Sequence, residues 1–360
     1  MKNSLFKMNH PFKIYRVKLF FHRLTHWEYW PFEIVYIPVY FLWGYLAIRA
    51  KSLFFFNACN STIKNGGFMN ESKKEIYDLL PPQYYPKTRL IANKTTFKEV
   101  CLLMEKDAFS FPFIAKPDIG LRGLAVQKIE NLAMLQEYVD KADFDYLLQK
   151  LIPYENELGV FYVRFPGEKL GKITGIVAKK FVIIEGDGIQ TLEALVLKNP
   201  RFAFQLKSLQ KIYGSKLQEI PELGMKTNLV PYGNHARGAK FLDKTSWATP
   251  ELNHLLNEIC LQIDGFYFGR MDLMYQSIAD LEKGQHFSIV ELNGAGSEPT
   301  HIYDPSHSLF FAWKELFRHI NYMHQISIAN HKNGLPYLTH KEGMKEYRLH
   351  LAQSRKIVYF

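Results

Sequence analysis

The chain has 360 residues, 47% hydrophobic and 15% aromatic, with 45 Lys and Arg against 35 Asp and Glu for a formal net charge of +10. That length and apolar content allow a substantial core in one large or two moderate domains and exclude a disordered chain. Three cysteines, Cys59, Cys101 and Cys260, lie far apart without metal-ligand spacing, which argues against a disulfide framework and for a reducing, cytosolic compartment.

The charge is uneven. Residues 1–64 hold nine Lys or Arg and two Glu. No zinc-finger or RNA-recognition signature accompanies this basic arm, so nucleic acid is not expected as a partner. An anionic membrane surface better explains the apolar, aromatic run that follows, Trp27 to Ile48. Its most apolar part, Ile34 to Ile48, contains Pro38 and Gly44 and is shorter than the roughly 20 residues a spanning helix needs. Its Trp and Tyr content suits headgroup depth, and it lacks the cleavage site of a signal peptide. Interfacial or re-entrant attachment, a helix buried against the next domain, and a true span are the alternatives. Residues 1–60 are thus expected as a basic, aromatic helical segment touching the membrane through residues 1–56. The protein is expected in the cytoplasm, peripheral to the inner face of the cytoplasmic membrane.

Residues 61–110 form a lead-in: a turn at Asn65-Gly66-Gly67, a helix from Glu71 to Leu80 ended by Pro81-Pro82, then a strand and a helix. Phe111 to Lys116 reads as a strand, 118–123 as a loop, Val126 to Ile129 as a strand, Leu132 to Val139 as a helix and Tyr146 to Ile152 as a strand. Leu158 to Arg164 and Lys172 to Ile184 read as antiparallel strands. Gly186 to Gly188 make a turn, with Thr191 capping a helix to Leu197, and Pro250 to Gln262 is a further helix. Residues 326–360, polar and basic, read as a surface tail.

Two later segments carry the chemistry. Gly269-Arg270-Met271-Asp272-Leu273 and Ile289-Val290-Glu291-Leu292-Asn293-Gly294-Ala295-Gly296 read as buried strands. The two-residue period puts Arg270 with Asp272, and Glu291 with Asn293, on common faces. Acids inside such apolar strands are costly unless paired or metal-bound. Asp272, Glu291 and Asn293 are hard oxygen ligands suited to Mg²⁺ or Mn²⁺ holding nucleotide phosphates, and Arg270 can neutralise a phosphoryl group. Upstream, Lys116 ends an apolar strand before a loop containing Gly120 and Gly123, a pattern that sets an ammonium and loop amides on phosphate.

The order of lysine strand, glycine loop, Arg-x-Asp strand and Glu-x-Asn strand, over about residues 70 to 305, resembles the ATP-grasp superfamily of ligases. Glu185-Gly186-Asp187-Gly188-Ile189-Gln190-Thr191 is similar to a segment of cyanophycin synthetases and glutathione-type ligases. The resemblance implies an α+β, ATP-grasp fold whose two lobes, 111–157 and 158–325, sandwich ATP. ATP would phosphorylate a carboxylate, and an amine would attack the acyl phosphate. By the resemblance, Asp272, Glu291 and Asn293 match the Mg²⁺ ligands, Arg270 the arginine that steadies the intermediates, and Lys116 the lysine on ATP phosphate. Gln149, Lys150 and Ile152 match the adenine-reading hinge, with Gln149 where the family commonly has Glu. Glu157 matches the ribose-binding acid, in competition with Glu155, and Lys73 or Lys74 an earlier lysine. Lys179 and Lys180, ending the run Ile176 to Ala178, are expected either to reach the γ-phosphate or to be solvated surface lysines.

Arg122 stands in a loop poorer in Ser and Gly than in relatives, either as a phosphate clamp or as a solvated residue. Tyr232 to Lys240 matches a lid, or is a turn. Gly294 to Glu298 matches an oxyanion-binding loop, with His301 and Asp304 following. No separate N-terminal domain like that of D-alanine–D-alanine ligases is recognisable, so the substrates, small-molecule or lipid- or glycan-linked carboxylates and amines, stay open. A nucleotide-binding adaptor without turnover, acting at the membrane, is the alternative function.

Overall fold

The computed structural model describes residues 10–120, 123–230, 233, 235–358 and 360. The N-terminal segment forms α1 (His10–Thr25), α2 (Phe32–Val35) and α3 (Ile37–Ala50). Pro38 sits in the first turn of α3, where its missing N–H costs nothing. Val39, Leu46, Ala47 and Ala50 face inward, the last three packing with Phe55, Phe56, Met323 and Ile326. Ile37, Phe41, Tyr45 and Ile48 face outward and are exposed. Among the described residues no helix is long and apolar enough to cross a membrane.

After α3 the chain is anchored by Asn60, which is fully buried. Its amide oxygen accepts from the backbone N–H of Tyr267 and Phe268 at 2.9 and 3.0 Å, and its nitrogen donates to the carbonyls of Gly66 and Phe268. Asn65, Gly66 and Gly67 all have positive φ. A Cβ on Gly67 would lie 2.7 Å from Gly294 Cα, so only glycine fits this turn.

Next come α4 (Lys73–Leu79), β1 (Thr88–Ile91), α5 (Phe97–Lys106), β2 (Phe113–Pro117), β3 (Gln127–Ile129), α6 (Leu132–Lys141) and β4 (Tyr146–Lys150). The strands form an antiparallel sheet in the order β1-β4-β2-β3. Thr96 and Glu99 close a capping box on α5, and Asn131 caps α6. Val100, Met104, Leu135 and Tyr138 from these helices cover Phe113, Ala115 and Leu148 of the sheet. The small lobe includes β1, so the boundary expected at 111 falls inside it.

The large lobe comprises β5 (Asn156–Val163), β6 (Lys172–Lys180), β7 (Val182–Glu185), α7 (Leu192–Leu197), α8 (Pro200–Ala203), α9 (Leu206–Tyr213), β8 (Lys226–Val230), β9 (Lys240–Asp243), α10 (Pro250–Leu261), β10 (Phe268–Tyr275), α11 (Ile278–Glu282) and β11 (Phe287–Asn293). Its main sheet is antiparallel, ordered β11-β10-β5-β6-β9. The apolar run expected from Lys172 to Ile184 breaks at Phe181: β6 stays in this sheet while β7 pairs with β8. Side chains alternate along β5. Leu158, Val160 and Tyr162 pack under α10, while Phe161 and Val163 meet the N-terminal segment.

The expected surface tail is instead two helices, α12 (Leu309–Lys332) and α13 (His340–Val358). α12 runs through the expected boundary at 326 and buries Ile326, Ser327 and Asn330, with the Asn330 amide donating to Ala58 O at 2.8 Å. α13 bridges the lead-in segment and the small lobe. Glu346 accepts from Asn65 and Asn70 beside α4. At its far end Lys356 pairs with Asp143 at 3.1 Å, and the Phe360 ring lies 5.0 Å from Tyr138 and 5.3 Å from Phe144. Composition hides this because a strap helix needs only a few buried positions.

Asn60→Ala would strand two backbone N–H groups and remove two further bonds. The expected loss in urea denaturation is about 3 kcal/mol, with an unchanged slope against denaturant.

Candidate active site

A cleft of about 770 Å³ lies between the small sheet and the β10–β11 edge of the large one, within the size range of small-molecule sites. Register sets its floor. Arg270 pairs with Asn293 and Asp272 with Glu291 across β10 and β11, so the four expected side chains share one face. After Asp272 a β-bulge makes Val290 the extra residue. Its freed carbonyl accepts from Tyr77 Oη and, at 3.4 Å, from Lys116 Nζ.

Two carboxylates directly opposite each other repel by up to about 1 kcal/mol. A buried carboxylate stripped of its cations would cost about 3–5 kcal/mol, so the cations dominate here. Arg270 grips Asp272 through Nε and Nη2, both at 3.0 Å, and Lys179 Nζ adds a contact at 3.2 Å. Burial alone would raise the Asp272 pKa; Arg270 and Lys179 outweigh it and hold the carboxyl below its ordinary value. Lys179 also bonds Glu157 at 2.6 Å, and these two carboxylates overcome the effect of burial to raise its pKa. Lys73 lies 3.7 Å from Glu291 and donates to Asp118 O at 3.3 Å. The Arg270–Asp272 pair sits above Gly159, where a Cβ would come within 2.8 Å of Asp272 Oδ1. A glycine inside an apolar strand, as at Gly159 in the run Leu158 to Arg164, is the signal in the sequence of such an approach.

Lys116 is only 6% exposed and donates to Tyr77 Oη and Gln149 Oε1, both at 2.9 Å. Burial pulls its pKa down to about 8, against the pull of Glu291 and Asp118. Gln149 donates in turn to Thr88 Oγ1 at 2.9 Å. Its side chain therefore steadies the lysine and is not free to read a base, while Gln149, Lys150 and Ile152 still line the cleft.

Other expected residues are sorted by geometry. Gly120 and Gly123 line the cleft; Arg122 lies outside the described residues. Lys180 is exposed and absent from the lining, because strand alternation sends Lys179 inward and Lys180 outward. Glu157 lines the cleft, and Glu155 is exposed. Lys73 faces the cleft, while Lys74 turns to Asp78.

The 294–298 loop does not offer the expected set of free amides. Ala295 and Gly296 donate their N–H groups to the carbonyls of Gly66 and Gly67, and Ser297 donates to Gly294 O. His301 is buried behind β6, 3.4 Å from Glu315, and Asp304 caps local N–H groups of Asp243 and Ser306. Of the expected lid, Tyr232 and Asn234 lie outside the described residues. Gly233 leaves no room for a Cβ beside Glu157 and Lys179.

Asn293 pairs with Arg270 across the strands but is not among the residues lining the cleft; its Nδ2, a donor, is buried with no hydrogen-bond partner among the described residues, and Oδ1 is the atom a cation would take. Two carboxylates and an amide oxygen suit Mg²⁺ or Mn²⁺ completed by phosphate oxygens. Among the described residues no three His, Cys, Asp or Glu groups could hold a metal alone.

The N-terminal segment, for which packing against the next domain was one of the alternatives, also walls the cleft. Trp27, Glu28, Tyr29, Trp30 and Phe32 line it with Phe204, His235 and Tyr303. Glu28 is buried, accepting from Arg201 Nη2 at 2.8 and 2.7 Å and lying 3.0 Å from His235 Nε2. Burial would raise its pKa, but His235 and Arg201 lower it.

No family model and no curated protein matches the sequence. Among solved structures, a bifunctional glutathione synthetase from Pasteurella multocida is 14% identical, over 71% of this chain and 38% of that one, with a TM-score of 0.36. A D-Ala:D-Ser ligase from Enterococcus faecalis is 12% identical over 70% and 61%, with a TM-score of 0.40. A D-alanine–D-alanine ligase from Bacillus anthracis is 12% identical over 73% and 69%, with a TM-score of 0.41. The chain thus spans less than two thirds of the first two. Its chemistry is set by the side chains of its own cleft.

Lys116 makes stability depend on pH. With a folded pKa of about 8 and an unfolded one of about 10.4, the unfolded chain binds more protons between these values, so stability rises with pH there. Urea denaturation of wild type is expected to gain on the order of 2–3 kcal/mol relative to Lys116→Met between about pH 8 and about pH 10.

Proposed function

We propose that the protein is an ATP-dependent, ADP-forming carboxylate–amine ligase of ATP-grasp type. The observation that carries this reading is the Asp272–Glu291 pair, on one face of adjacent strands, sharing a cleft with Lys73, Lys116, Lys179 and Arg270. Asp272, Glu291 and Asn293 would hold Mg²⁺ or Mn²⁺, which when bound draws charge from the phosphates. Lys116 and Lys73, with Gly120 and Gly123, face the phosphates of ATP; Gln149 to Ile152 flank its base.

A substrate carboxylate oxygen attacks the γ-phosphorus, the bond to the β-phosphate oxygen breaks, and ADP leaves. The amine nitrogen then attacks the acyl carbon of the mixed anhydride, phosphate departs and the nitrogen loses a proton. Arg270 meets the negative charge that develops on the carbonyl oxygen of that carbon. The aromatic end of the cleft receives the acceptor, whether a small molecule or the head of a lipid- or glycan-linked one.

A silent nucleotide-binding adaptor is the second reading, favoured by Arg270 engaging both oxygens of Asp272. ADP release that requires an added carboxylate and amine supports the ligase; ATP binding without ADP release under a broad substrate screen supports the adaptor. Asp272→Asn and Glu291→Gln are each expected to lower ADP formation by roughly 10²-fold or more, with folding checked by circular dichroism. Wild-type rates in both variants would overturn the metal assignment.

A further inference from the structure

We infer that the outward face of the N-terminal helices is a docking surface for an anionic lipid bilayer. On α3 the exposed positions Ile37, Phe41, Tyr45 and Ile48 recur at helical spacing, with Phe41 and Ile48 each 78% exposed. Ile34 on α2 continues the stripe, and on α1 Val17, Phe20, Phe21 and Leu24 form a second one. A surface of this kind is not left to water without a partner.

Charge identifies the occupant. Lys18, Arg23, Arg49 and Lys51 flank the stripes and are exposed. Of the two acids before residue 60, Glu28 is consumed by Arg201 and His235, leaving Glu33. A second copy on this face would bring the same cations against one another about a two-fold axis. Anionic headgroups complement them, at about 1 kcal/mol per Lys or Arg.

The geometry also sets depth. Fourteen residues make α3 roughly 21 Å long, short of the ~30 Å hydrocarbon core, and its inner face is already committed to the protein. The helix therefore lies along the surface with Phe41 and Ile48 among the acyl chains and Tyr40 and Tyr45 at headgroup depth. Trp27, Trp30 and Phe32, which line the cleft, belong to the same short segment, so the docking face and this wall of the cleft are built from one stretch of chain.

The test is flotation of the full chain, without nucleotide, on vesicles of phosphatidylcholine alone or mixed with phosphatidylglycerol. Omitting nucleotide keeps the result independent of the ligase reading. Binding is expected on the mixed vesicles and is expected to fall as salt rises. It should weaken ~10-fold or more in Phe41→Glu/Ile48→Glu and also in Arg49→Glu/Lys51→Glu. Leu223→Glu, an exposed position outside the N-terminal helices, between β7 and β8, should bind as wild type. Absence of binding to mixed vesicles, wild-type binding by Phe41→Glu/Ile48→Glu, or a lipid-free dimer that this variant dissociates would each overturn the proposal.

Discussion

The cleft depends on holding two carboxylates side by side across neighbouring strands. Asp272 and Glu291 are direct cross-strand partners, and every feature around them makes that arrangement tolerable. Arg270 and Lys179 neutralise Asp272, Lys73 approaches Glu291, and Gly159 leaves the space above β5 that a side chain would fill. The bulge at Val290 supplies the carbonyl that fixes Tyr77 and Lys116. The result is a preorganised field of positive charge around two acids.

The N-terminal segment has two jobs on two faces. Inward, its Trp and Tyr side chains wall one end of the cleft, and buried Glu28 ties it to Arg201 and His235. Outward, it leaves apolar rings uncovered. One short stretch therefore joins a surface property to the site, where a separate domain would keep the two apart.

Local pattern revealed the strands and helices, because a period of two or 3.6 and a cap or proline are written in neighbouring residues. β2, β4, β10 and β11 lie close to where alternation put them, and with them the shared face of Arg270 and Asp272. What escaped was partnership over long range. Nothing near Gln149 says that its amide is spent on Lys116, and nothing near Gly294 says that its loop bonds the turn at Gly66. The choice of Lys179 over Lys180 is a question of register, which one residue of slip reverses. Residues 326–360 looked like a tail because α13 is polar along most of its length and few positions carry its contacts.

That helix has a mechanical consequence. The small lobe joins the rest of the chain through the segment between α4 and β1 and the link between β4 and β5, and α13 adds a non-covalent tie where Lys356 and Phe360 reach Asp143, Tyr138 and Phe144. Any displacement of that lobe from the large sheet would break the Lys356 and Phe360 contacts as well as bend the two chain links.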